Sequence, residues 1–94
     1  MIYDLEDRTK VFSLDIIKLI KTIKPNYLNY SLINQLIRSA TSVGANYCEA
    51  NNASSKKDFR NKIYICKKEI QETKYWIVML AEASQEIKKE LRPL

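Results

Sequence analysis

The chain has 94 residues, 46% hydrophobic and 29% charged, which suits one small domain with one modest core. It contains no histidine and a single glycine, Gly44, which excludes the usual metal ligand, the usual proton shuttle and any glycine-rich phosphate loop. Sixteen Lys and Arg against eleven Asp and Glu give a net charge of +5 and a pI near 9.3, a balance that favours polyanionic partners.

Leu5, Phe12, Ile16, Leu19 and Ile23 recur at helical spacing, and Val11, Leu14, Ile17 and Ile20 widen the stripe. This predicts a first helix over about 4–24, capped by Asp4 and stopped by Lys24-Pro25-Asn26. The short loop that follows makes neighbouring helices antiparallel. A second helix is expected over about 30–51, with Leu32, Ile33, Leu36, Ala40, Val43 and Tyr47 on one side. It carries few charges and many small residues, Gly44 among them, so it belongs at the centre of a bundle with backbones closely approached. Asn51-Asn52-Ala53-Ser54-Ser55 is turn-prone, and Ser54 or Ser55 caps a third helix over about 55–83. Its expected seam is Phe59, Ile63, Cys66, Ile70, Thr73, Ile77 and Leu80. Ile65, Trp76 and Met79 form a second apolar group, read as an oligomer interface, because one partner helix does not need so wide an arc. QEIKKELR, residues 85–92, reads as the start of a fourth helix. The fold class is therefore all-α: one domain over 1–94, an antiparallel up-down bundle of three long helices plus a short, truncated fourth.

Chemistry-bearing constellations are few. Arg38, Ser42, Asn46 and Glu49 share one face of the second helix, and Arg38 is expected to meet Glu69 or Glu72 of the third in a structural polar network. Buried charges need partners, so a buried Arg38 would be costly to strip of its own. Without histidine, Glu69 and Glu72 lack the complement of a di-metal carboxylate centre, so no metal and no cofactor are expected. Cys48 and Cys66 have no histidine to activate them, and no catalytic residue is assigned. The N-terminus has no signal-like apolar stretch, and the longest apolar run, Tyr75 to Ala81, is too short to cross a bilayer; no membrane partner and a cytoplasmic location are expected. The third helix supplies the most suggestive surface. Lys56, Arg60, Lys67 and Lys74 fall within a narrow arc, with Lys57 and Lys68 beside them and Tyr64 and Tyr75 interleaved. Evenly spaced cations with aromatic neighbours suit a phosphate backbone, RNA or DNA, bound without sequence readout.

The run Gln35-Leu36-Ile37-Arg38-Ser39-Ala40-Thr41-Ser42-Val43-Gly44-Ala45-Asn46-Tyr47-Cys48-Glu49-Ala50 resembles the QLxRSAxSVxANxxEA signature of a family of bacterial four-helix-bundle proteins. The similarity continues through Ser55-Lys56-Lys57-Asp58-Phe59, Lys62-Ile63 and Lys68-Glu69-Ile70-Gln71-Glu72-Thr73-Lys74-Tyr75-Trp76. That family includes proteins encoded in intervening sequences of large-subunit rRNA genes and the accessory variability determinant of diversity-generating retroelements. The resemblance implies a homopentameric ring with a basic surface and, for the retroelement relatives, binding to nucleic acid and a reverse transcriptase. Family members usually continue further to complete the fourth helix, so a truncated chain or a partner-supplied surface is expected. Cys48 and Asn51 stand where relatives often carry arginines, which weakens a polyanion site on that turn. The resulting expectation is a non-enzymatic, self-associating bundle that binds nucleic acid without sequence specificity as an accessory factor. The alternative is an oligomeric scaffold that recruits a partner enzyme such as a reverse transcriptase.

Overall fold

The computed structural model describes residues 4–84, and among them there are three helices and no strand. The expected fourth helix, 85–92, lies outside the described residues. Helix α1 spans Leu5–Ile20, α2 Tyr30–Asn51 and α3 Lys56–Ala83.

Each start is set by local chemistry. Asp4 accepts the Asp7 N–H at 3.1 Å, and Glu6 and Asp7 place negative charge in the first turn of α1. Ser55, in an extended conformation, accepts the Asp58 N–H at 3.0 Å and starts α3. Asn29 precedes α2 without capping it by its side chain, which is engaged elsewhere.

The end of α1 departs from the expected boundary near residue 24. The helix stops at Ile20 and tightens into three-residue turns, with Thr22 N–H on the Leu19 carbonyl (3.1 Å) and Ile23 N–H on that of Ile20 (3.0 Å). The tightening swings Ile23 inward, where it is 5% exposed. Burial of that side chain, on the order of 2 kcal/mol, outweighs a further turn of helix beside Pro25.

Helix α2 lies between the other two. From α1, Ser13 Oγ reaches the Ala40 carbonyl (3.1 Å), Thr9 lies against Gly44, and Cys48 Sγ donates to Glu6 (3.3 Å). From α3, Thr73 meets Ser39 (3.0 Å), Cys66 Sγ donates to the Val43 carbonyl (3.4 Å), and Lys62 pairs with Glu49 (2.9 Å). On both sides the partners run in opposite order along the two helices.

The core sits toward the end of the molecule that holds the α1–α2 connection. Ile16, Ile23, Ile33, Leu36, Ala40 and Leu80 are buried there, with Phe12, Leu32, Trp76 and Ile77 packed around them. The expected α3 seam is only partly covered: Cys66, Thr73 and Leu80 are buried, whereas Phe59 and Ile70 are exposed. The reason is geometric. Ile70 faces a groove of about 240 Å³ between α1 and α3, lined also by Leu5, Arg8, Thr9, Phe12 and Val43, which neither helix closes. Val11 and Leu14 on the outer side of α1 are about half exposed, so the stripe of α1 that meets the core is narrower than the apolar spacing predicts.

Candidate nucleic-acid interface

The buried positions of α3 (Cys66, Glu69, Thr73, Leu80) define its inner line. At 100° per residue, the cationic side chains cluster on the opposite side of the cylinder. Lys56, Lys57, Arg60, Lys67, Lys68 and Lys74 are all exposed, and Tyr64 (70% exposed) and Tyr75 (55%) stand among them. From Lys56 to Lys74 the face extends about 27 Å at 1.5 Å per residue. None of these six cations forms an ion pair with a described residue. Lys62, within the same stretch of sequence, belongs elsewhere: it is half-buried and paired with Glu49, whose hydrogen bond and charge raise its pKa.

The polar residues of α2 divide into two groups. Arg38 reaches both candidate carboxylates, with Nη1 on Glu69 at 2.9 Å and Nη2 on Glu72, while its Nε donates to Gln35 at 3.1 Å. The Arg38 side chain is 46% exposed, not buried as expected; the buried member is Glu69, at 7%. The guanidinium lies along the outer edge of the α2–α3 seam and keeps contact with water. Glu72 is held below the usual carboxylate range, first by its hydrogen bonding with the Glu69 carboxyl and then by the Arg38 charge, against a partial loss of solvent. Ser42 and Asn46 do not join this bridge. Ser42 Oγ donates to the Arg38 carbonyl (2.7 Å) and Asn46 Nδ2 to the Ser42 carbonyl (2.8 Å), both within α2. At helical spacing of four, each side chain finds a carbonyl one turn back before it finds the neighbouring helix.

Ile65, Trp76 and Met79 are half-buried on the flank of α3 beside Glu72. Trp76 packs on the molecule's own core and meets the Tyr75 ring edge-on at 4.9 Å and 77°. Its buried Nε1 has no hydrogen-bond partner of ordinary geometry among the described residues.

Two features of the surface carry little signal in the sequence. An apolar groove of about 230 Å³ separates the outer edges of α1 and α2, lined by Thr9, Leu14, Gly44 and Cys48 among others. The Cys48 thiol there is kept protonated, chiefly by its hydrogen bond to Glu6, so it is a poor nucleophile. The loop between α1 and α2 carries Tyr27 at 98% exposure and Leu28 at 58%, and Tyr30, 62% exposed, opens α2 beside them. The absence of any acidic residue between Asp15 and Glu49 was its available signal. Among the described residues no cluster of His, Cys, Asp or Glu could hold a metal ion, and no helix is long and apolar enough to cross a membrane.

A family model described as 23S rRNA-intervening sequence protein matches residues 4–92. The chain belongs to this family. A crystal structure of a protein of unknown function from the S23 ribosomal protein family of Bacteroides thetaiotaomicron VPI-5482 is 36% identical to it. That structure superposes with a TM-score of 0.69, over 83% of this chain and 72% of the other. No curated relative matches the sequence. Within this chain the signature run lies on α2, where it forms the sides that meet α1 and α3, and the basic residues lie on the outer side of α3.

Proposed function

We propose that this protein is a non-enzymatic, self-associating antiparallel helical bundle of the cytoplasm that binds nucleic acid without reading its sequence. The carrying observation is the outer face of α3: six exposed cations over about 27 Å, none paired with a described carboxylate. Paired cations are already neutralised, whereas these remain available to displace counterions from phosphates. The family's description as a 23S rRNA-intervening sequence protein supports an RNA context. The groove at Ile70, left open among the described residues, and the exposed Phe59 on α3 support self-association, and repetition of a modest basic face in an oligomer raises its avidity.

The test is the salt dependence of binding. Each neutralised phosphate contributes about −0.9 to the slope of log affinity against log salt on duplex, or about −0.7 on single strands. Lys56→Gln, Arg60→Gln, Lys67→Gln and Lys74→Gln together should flatten that slope by about two units or more, equally for all sequences. The melting temperature should hold, since all four side chains are exposed. Wild-type protein that binds neither RNA nor DNA at about 50 mM salt ends this reading and favours the partner-recruiting scaffold. Sedimentation equilibrium tests the assembly in parallel, and a clean 11.0 kDa species would refute it.

A further inference from the structure

We infer that the loop joining α1 to α2 is a base-stacking platform for single-stranded RNA, with Tyr27 and Tyr30 as the stacking rings and Lys21 and Lys24 as the phosphate contacts. This rests on the nucleic-acid reading above and adds to it a preference for unpaired strands, which an α-helical row of cations does not supply.

The loop is built rigidly, yet it holds its large side chains outward. Asn26 Oδ1 accepts the N–H groups of Leu28 and Asn29, both at 2.9 Å, and Asn29 Oδ1 accepts the Asn26 N–H at 2.8 Å. Asn29 is 1% exposed, and its Nδ2 donates to the Lys24 carbonyl (3.2 Å) and to Ser84 Oγ at the end of α3 (2.9 Å). The Tyr30 N–H bonds the Asn26 carbonyl at 3.0 Å, so Asn26 to Tyr30 already forms one helical turn. Tyr27 and Tyr30, three apart, flank a shallow depression of about 370 Å³ that Pro25, Asn26 and Ser31 complete.

A loop fixed by this many hydrogen bonds has little to gain in fold stability from a tyrosine that is 98% exposed. The backbone that carries the two rings is fixed, and a tyrosine side chain has only two χ angles to lose on contact, which favours binding. Every base presents a face to such a ring, so stacking is indifferent to sequence but needs an unpaired base. The charge decides the class of partner. From Ile16 to Cys48 the chain carries Lys18, Lys21, Lys24 and Arg38 and no acid; Lys21 and Lys24 are exposed at the foot of the loop. A basic, aromatic surface of this kind is complementary to a single strand, whose backbone and bases are both accessible.

The experiment compares an unstructured oligo-uridine strand with an RNA duplex of the same length. It uses the full chain, the Tyr27→Ala/Tyr30→Ala variant and the corresponding double Phe variant. The alanine variant should bind the single strand about tenfold or more weakly, keep its duplex affinity and keep its salt slope; the phenylalanine variant should bind like wild type. Lys24→Gln should instead lower the single-strand slope by about 0.7. Unchanged single-strand binding by the alanine variant, while the α3 glutamine variant still flattens the slope, overturns the platform and leaves the wider function standing. Equal loss on duplex, a changed sedimentation profile, or loss of a protein partner alone also overturns it, the last two by assigning the loop to self-assembly or to protein recognition. Wild-type protein that binds no RNA removes the platform, and one that binds no DNA either removes both readings together.

Discussion

Arg38 bridges two carboxylates of unequal burial, and that inequality decides what its loss does. Glu72 can turn to water, but Glu69, at 7% exposure, cannot. Arg38→Ala should therefore lower stability by about 1–3 kcal/mol, the cost of a buried acceptor left without its donor. In a domain of this size that is a fall of about 4–8 °C in melting temperature per kcal/mol, read by calorimetry. An unchanged melting temperature would show that the bridge contributes nothing to the fold. The same cluster sets a direction in pH. Glu72 has a folded pKa below its unfolded one, so its stabilising contribution is present above the ordinary carboxylate pKa and fades as the pH drops through the folded value. Glu72→Gln should therefore lower stability at neutral pH, leave the acid end almost unchanged, and so make the acid limb of stability shallower. The sequence indicated the Arg38 partners, because a cation and two carboxylates three apart were the charges available to meet across two helices. It did not indicate which of the three groups is buried, since that depends on where the seam's edge falls.

Gly44 governs how closely α1 and α2 approach. A Cβ placed there would stand 3.3 Å from Thr9 Oγ1, whose hydroxyl is tied to the Glu6 carbonyl at 2.9 Å. Gly44→Ala sets a helix-propensity gain of about 1 kcal/mol against that crowding and should leave stability near wild type. Gly44→Val adds a branched side chain to the same gap and should cost about 1–3 kcal/mol in urea melts. Thr9→Ala in that background should recover part of the loss, and the double-mutant cycle measures the coupling; a cycle that sums to zero would place the strain elsewhere. The helices themselves were legible from apolar spacing and caps, as the agreement at Tyr30, Asn51, Ser55 and Ala83 shows. Residues 21–24 were not, because burial of Ile23 overrides a local pattern that continues the helix. The surface of α3 was legible because its lysines repeat at helical spacing. The tyrosines of the α1–α2 loop were not, since in sequence an exposed tyrosine is identical to a buried one.

The molecule measures 44 × 28 × 18 Å, a slab in which α2 is shared by two helix pairs. Its local pairs can form by short-range collapse, each needing only a neighbouring helix. The hydrogen bond from Asn29 to Ser84 differs in kind, because it joins residues 55 apart and closes a ring of chain that contains all of α2 and α3. Closing so long a loop is entropically costly until α2 and α3 have already docked, so this contact belongs to the late side of the folding barrier. Its removal should therefore be visible as a change in lifetime. Asn29→Ala should speed unfolding in proportion to the stability lost and leave the refolding arm of the chevron nearly where it was. A refolding rate that slowed with it would place the knot in the folding nucleus. In the expected case the buried asparagine acts as a latch, engaged last and released first, and the time the α1–α2 loop spends anchored to α3 is set by how long that latch stays shut.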